Sequence, residues 1–125
     1  MEFLTSRVVI RPRDPELSLA FYRDVLGLGV FREFPGGTVF FLGGGFLEVS
    51  GRGDGSPSQD LALWLQVRDI HATVDELRGR VEMVSEPELQ PWGLWEAWFA
   101  DPDGVRIVVV QVPPDHPMRK DSRPG

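Results

Sequence analysis

Few side chains in this sequence could bind a transition metal. The chain of 125 residues contains two histidines and no cysteine. His71 lies in a segment with helical periodicity, and His116 lies in a proline-rich stretch near the C-terminus. A divalent transition metal requires three or four nitrogen, oxygen or sulfur ligands at fixed geometry. The sequence therefore predicts no histidine-anchored metal centre, and we expect no metal or other cofactor.

Tryptophan is the other residue type that could carry chemistry here. The chain has four tryptophans, and Trp92, Trp95 and Trp98 lie within one short segment. Indole rings offer large flat faces on which planar or cationic groups can stack. The alternative is that the rings fill the core, and the sequence leaves both uses open for Trp64, Trp92 and Trp98.

Composition excludes several classes of partner. The chain carries 19 acidic and 13 basic residues, for a formal charge of -6, and nucleic-acid binding needs a basic face. No segment approaches the roughly 20 apolar residues that a membrane-spanning helix requires. A cysteine-free chain without a recognisable signal peptide suits the cytoplasm.

The predicted elements that would position these side chains occur in the same order twice. Thr5–Arg11 is β-branched and predicts a strand, and Asp14 and Pro15 are typical of the start of a helix, which would run to Leu26. The remaining predicted strands of this half are 28–34, 38–42 and 46–50. Glycine-rich turns separate them.

The second half follows a flexible segment at 51–59. A strand at 61–67 precedes a helix that Asp69 caps and that runs to about Arg80. The later predicted strands are 81–86, 94–100 and 105–112. We therefore predict an α+β fold of two βαβββ modules, at about 5–50 and 60–111, in one domain over 1–112. Residues 113–125 are predicted to form a flexible tail.

Two motifs in this arrangement resemble those of a known family. The segment Phe21-Tyr22-Arg23-Asp24-Val25-Leu26-Gly27-Leu28 is similar to the signature of the vicinal oxygen chelate superfamily, which includes glyoxalases, extradiol dioxygenases and bleomycin-resistance proteins. Pro91-Trp92-Gly93 followed by Asp101-Pro102-Asp103-Gly104 looks most like the bleomycin-resistance branch. The resemblance implies paired curved mixed sheets around a ligand cavity, and a homodimer.

The resemblance also implies where a metal would bind in metal-dependent members, which use histidines and carboxylates on four strands. The corresponding positions in this chain are Arg7, Glu48, Ala62 and Val108. Only Glu48 could be a ligand, so the family's metal site is not expected here.

Strand alternation around these positions predicts which other side chains face the cavity. The predicted ligand-binding residues are Arg7, Glu48, Trp64, Gln66, Trp92, Glu96, Trp98 and Val108. Because a charge facing inward needs a partner, Arg7 and Glu48 could form a structural ion pair. Alternatively, Arg7 could bind an anionic group and Glu48 a cationic group of a ligand.

Three functions follow from these patterns. The first is a metal-free protein that binds a planar or cationic small molecule, sequestering a drug or natural product as bleomycin-resistance proteins do. The second is a lyase, isomerase or dioxygenase of the same superfamily, with Glu48 as general base and Arg7 stabilising an enolate. The third is a non-catalytic interaction module.

Overall fold

The structure is a computed structural model that describes residues 1–118. The chain divides into two compact units. The first contains Met1–Ser58 and the turn Asp101–Gly104, and the second contains Gln59–Ala100 and the described chain from Val105 onward. Each unit holds one βαβββ module with a four-stranded mixed sheet, which confirms the predicted fold class. The predicted enclosure of a cavity by the two sheets stays a prediction.

The first unit builds its sheet in the order β1-β4-β3-β2. Its elements are β1 (Val8–Ile10), α1 (Pro15–Ala20, continuing as a π-helix over Phe21–Val25), β2 (Val30–Phe34), β3 (Gly37–Leu42) and β4 (Gly45–Ser50). The carboxylate of Asp14 accepts a hydrogen bond from the Leu17 backbone N–H and Pro15 begins the helix, as the sequence predicts. One face of the sheet packs under the helix, and we call the opposite face the open face of the first sheet.

The sequence predicts a single α-helix over residues 16–26, and this prediction is wrong in one respect. The observed helix changes from an α-helix to a π-helix at Phe21. The wider turn is closed by the Leu26 backbone N–H, which donates to the Phe21 carbonyl. Two consecutive side chains of this turn, Phe21 and Tyr22, are buried at 6% and 0% exposure.

The second unit repeats this plan with the strand order β5-β8-β7-β6. Its elements are β5 (Ala62–Gln66), α2 (Ile70–Leu77), β6 (Glu82–Leu89), β7 (Trp95–Ala100) and β8 (Arg106–Gln111). Helix α2 is capped by Asp69 and covers one face of the sheet, where the Ile70 backbone N–H donates to the Gln111 side chain. The face opposite α2 is the open face of the second sheet.

The family-like motifs meet in a buried hydrogen-bond network in the first unit. The Tyr22 hydroxyl donates to the Asp101 carboxylate at 2.7 Å, and Asp101 is 3% exposed. Asp101 also accepts from the Asp103 backbone N–H at 2.9 Å, and Asp103 accepts from the Arg13 backbone N–H. Burial, reinforced by the Asp101 charge, raises the pKa of Tyr22 far above its ordinary value. The motif residues therefore have a structural role.

Bulges bend two of the strands. The β2–β3 register shifts between Val30 and Arg32, and the β6–β7 register shifts on both sides of Ser85. A bulge bends its strand and increases the local twist, so these shifts curve each sheet. Strand β6 runs to Leu89, beyond the strand at 81–86 that the sequence predicts.

Other boundaries also differ from prediction. The first strand covers only Val8–Ile10, a shorter range than the predicted Thr5–Arg11. Part of the predicted tail belongs to the second unit, where the His116 ring and the Trp92 carbonyl oxygen are hydrogen-bonded at 3.0 Å. The part of the tail at 119–125 lies outside the described residues. Within residues 1–118, no helix has the length and apolar character needed to cross a membrane.

Candidate functional site

Glu48 is at the centre of a polar network on the open face of the first sheet. Val9 pairs with Glu48 in the parallel β1–β4 register, so Arg7 and Arg11, each two residues from Val9, are on the same side as Glu48. Arg7 Nη1 donates to Glu48 Oε1 at 3.1 Å, and the Ser50 hydroxyl donates to Glu48 Oε2 at 2.5 Å. Arg11 Nη1 in turn donates to Ser50 Oγ at 2.6 Å. The ion pair that the sequence left open is therefore formed.

The network keeps Glu48 ionised. The Ser50 hydrogen bond lowers the pKa of Glu48 most, Arg7 and Arg11 lower it further, and partial burial opposes them. A general base works best with a pKa near the working pH. Because the pKa of Glu48 is moved further below neutral pH, its carboxylate is poorly suited to abstract a proton.

The lowered pKa gives a signed prediction for stability. Since the folded pKa lies below the unfolded value, Glu48 stabilises the protein above the ordinary carboxylate range and loses this contribution as pH falls through the folded pKa. We expect Glu48→Gln to destabilise the protein at pH 7, with a smaller difference from wild type below about pH 4. Urea unfolding of both proteins at pH 7 and pH 3.5 measures this change. If the difference in free energy of unfolding between wild type and Glu48→Gln were larger at pH 3.5 than at pH 7, the result would contradict a stabilising role of the ionised network.

Three phenylalanines lie beside this network. Phe41 and Phe46 are cross-strand partners, and the bulge in β2 brings Phe31 within 4.8 Å of Phe46, between ring centroids. Phe31 and Phe41 are 48% and 46% exposed. Phe31 and Phe41 are not among the predicted binding residues; for Phe31, a bulge that changes side-chain alternation has no clear signal in the sequence.

The open face of the second sheet carries two tryptophans in one row. Trp64 in β5 and Trp98 in β7 both pair with Val108 in β8, so all three side chains share a face. Trp64 is 45% exposed, whereas Val108 is 3% exposed and forms the floor between the rings. Trp98 packs against the apolar cluster that contains Val108. The row offers an accessible aromatic surface on a rigid apolar base.

Polar side chains occupy the next row. Gln66 and Glu96 both pair with Val110. Glu96 accepts a hydrogen bond from the Trp92 indole N–H at 2.8 Å, which ties the loop of Pro91-Trp92-Gly93 to β7. Trp92 is 58% exposed. The structure therefore brings five of the predicted ligand-binding residues together in the second unit: Trp64, Gln66, Trp92, Glu96 and Trp98. Their role in binding stays a prediction.

Comparison with known proteins identifies the fold family. The sequence model of the Glyoxalase/Bleomycin resistance protein/Dioxygenase superfamily matches residues 5–109, most of the chain. The chain belongs to this superfamily. A probable lactoylglutathione lyase from Synechocystis sp. is a relative with 32% identity over 120 residues, covering 82% of this chain and 91% of the relative.

Solved structures agree with this superfamily assignment. The antibiotic binding protein TnmS3 from Streptomyces sp. CB03234 has 25% identity and a TM-score of 0.73, with 90% of this chain and 98% of that one covered. A superfamily protein from Nocardioides has 20% identity and a TM-score of 0.74, with 100% and 91% covered, and this likeness shows the fold alone.

The residues present do not fit the metal of the metal-dependent superfamily members. Glu48 is the one carboxylate among the four corresponding positions, and both of its oxygens are engaged by Arg7 and Ser50. His71 packs against Trp95 on the helix side of the second sheet, with ring centroids 5.3 Å apart. Over residues 1–118, no group of three or more histidine or acidic side chains could hold a metal ion.

Proposed function

We propose that the protein is a metal-independent binding protein for a planar small molecule. The observation that carries the proposal is the row of Trp64, Val108 and Trp98 on the open face of the second sheet. Trp64 is 45% exposed and Trp98 in the same row is half-buried, so the aromatic surface is accessible to a ligand. Stacking on an indole is the contact that such a surface offers to a flat ligand.

Membership of the superfamily and the antibiotic-binding neighbour support a drug or natural product as the class of ligand. The other predicted binding residues contribute polar contacts in this proposal. Glu96 and Gln66 border the tryptophan row, and Arg7 and Glu48 provide charges in the first unit. A binding role also agrees with the low basicity of Glu48.

The proposal predicts a specific loss of binding. We expect Trp64→Ala to weaken a planar ligand about tenfold or more, because stacking on an aromatic ring contributes roughly 1–3 kcal/mol. A library of planar aromatic compounds, screened by thermal shift and tryptophan quenching, supplies the ligand, and calorimetry then compares the variants. Leu61→Ala is the matched control, since Leu61 is 73% exposed just before β5.

Two outcomes would contradict this function. One is a screen in which no planar compound quenches tryptophan fluorescence or raises the melting temperature. The other is a ligand whose affinity is unchanged by Trp64→Ala, which would place the binding surface elsewhere.

A second candidate is lyase activity, which the probable lactoylglutathione lyase relative favours. The donor set described above counts against a metal-dependent form of that reaction. Stoichiometric zinc, iron or manganese in the purified protein, together with turnover of a lactoylglutathione-type substrate, would favour this second function over binding alone.

We also propose that the protein is a homodimer in the cytoplasm. Homodimers are common among soluble proteins, and the superfamily resemblance supports the same assembly. Light scattering of the purified chain measures its mass directly. A monomer at micromolar concentration would contradict the proposed dimer.

A further inference from the structure

We propose that Arg106 forms an anion-binding subsite on the open face of the second sheet, and that it takes the carboxylate of the planar ligand. This inference rests on the proposed function, because the planar body of the same molecule would lie on the row of Trp64, Val108 and Trp98. The inference specifies the chemical class of that ligand as an aromatic carboxylic acid.

A shallow cleft adjoins Arg106. Its volume is about 400 Å³, and its lining residues are Gln59, Val84, Ser85, Trp98 and Arg106. Trp98 and Val84 supply apolar walls, and the other three supply hydrogen-bonding groups. A small number of convergent polar groups beside apolar walls is typical of a site that orients a small ligand.

The sheet register explains why Arg106 has room beside it. Arg106 precedes Val108 by two residues, so both are on the open face. Its cross-strand partners are Ala62 in β5 and Ala100 in β7. Alanine side chains end at Cβ, so neither neighbour fills the space next to the guanidinium.

Arg106 also differs from the arginines that form ion pairs. Arg7, Arg23 and Arg78 each contact an acidic side chain. Among the described residues, Arg106 has no acidic partner, and its Nε donates to Gln59 Oε1 at 2.8 Å. This bond holds the guanidinium plane in place and leaves the edge formed by Nη1 and Nη2 for a ligand. A carboxylate can accept two parallel hydrogen bonds from that edge.

The order of rows along the strands gives the ligand a direction. Arg106 lies at one end, the tryptophan row comes next, and Gln66 and Glu96 form the third row. Successive rows are about 7 Å apart, because each strand residue adds roughly 3.3 Å. Glu96 and its β6 partner Glu88 disfavour an anion at their end. Glu82 shares the row of Arg106 but lies two strands away from it, so an acidic group would still point toward Arg106. Neutral or cationic donors would point toward Glu96.

A matched pair of probes tests this subsite. We expect 2-naphthoate to bind the wild-type protein about tenfold more tightly than the neutral 2-naphthamide, since a charged carboxylate makes the stronger hydrogen bonds. Arg106→Gln should remove this preference, because it weakens binding of the carboxylate much more than binding of the amide. Arg106→Lys should retain part of it, because lysine keeps the charge but cannot form the bidentate contact. Calorimetry measures each affinity.

Arg68→Gln is the control for loss of charge. Arg68 lies two residues after the end of β5 at Gln66, at the opposite end of the strand from Ala62, the partner of Arg106. The preference for the carboxylate should survive this substitution.

Equal binding of both probes to wild type would overturn the anion subsite while leaving the planar-ligand function standing. If Arg106→Gln still bound 2-naphthoate more tightly than 2-naphthamide, the anion subsite at Arg106 would likewise be overturned and the planar-ligand function would stand. Failure of both probes to bind would overturn the subsite, and failure of all planar compounds in the wider screen would overturn the proposed function as well.

Discussion

Replacing Asp101 with alanine is expected to lower the free energy of unfolding by about 3 kcal/mol. The carboxylate is 3% exposed and accepts hydrogen bonds from the Tyr22 hydroxyl and the Asp103 backbone N–H. Its loss leaves the Tyr22 hydroxyl without this acceptor at 0% residue exposure. Unmade hydrogen bonds of buried groups carry the full desolvation penalty. Urea unfolding at pH 7 measures the change.

A double-mutant cycle with Tyr22→Phe tests whether this bond is the cause. In the Tyr22→Phe background, Asp101→Ala should cost about 1–2 kcal/mol less than in wild type, because the phenol is no longer left unpaired. Additive effects of the two substitutions would show that the hydroxyl–carboxylate bond does not contribute.

The second large effect is expected at Gly37, where the sheet is too close-packed for a side chain. A Cβ on Gly37 would collide with the Ser50 Cβ and lie 2.9 Å from both the Ser50 Cα and the Phe34 ring. Overpacking of this kind forces backbone shifts, and we expect Gly37→Ala to destabilise the protein by about 2–3 kcal/mol. Displacement of Ser50 should also weaken its hydrogen bond to Glu48. Urea unfolding at pH 7 and pH 3.5 measures both consequences.

Gly44 offers a matched control for Gly37→Ala. A Cβ at Gly44 meets no heavy atom within 4 Å, and Gly44 is not among the glycines with positive φ. Gly44→Ala should therefore change stability by no more than about 0.5 kcal/mol. Equal effects of the two substitutions would mean that close packing at Gly37 is not the cause.

Residue alternation was sufficient to predict the second unit's open face. Trp64 and Gln66 alternate with buried or half-buried leucines, and Glu96 and Trp98 alternate with buried Ala97. A period of two residues places such positions on one side of a strand whatever the exact strand ends are. This is why errors in the predicted boundaries did not change the assignment.

Contacts that depend on tertiary geometry could not be predicted in the same way. Strand alternation places Ser50 on the same face as Glu48, but the hydrogen bond between them depends on rotamers that the sequence does not specify. Gln59 lies in the predicted flexible segment, so nothing in the pattern indicated its bond to Arg106. The π-helix at Phe21 also lacks a sequence signal that distinguishes it from an ordinary helical turn.

The register shifts in β2 and β6 have a consequence for colloidal behaviour. Both strands lie at an outer margin of their sheets, where unpaired backbone groups can recruit strands from other molecules. Where the register shifts, the backbone N–H and C=O groups of the strand are no longer regularly spaced. Pro87 within β6 also lacks a backbone N–H, so this strand has one donor fewer. These margins are therefore poor templates for fibril growth, which lets the chain keep aromatic rings exposed with less danger of self-association into insoluble material.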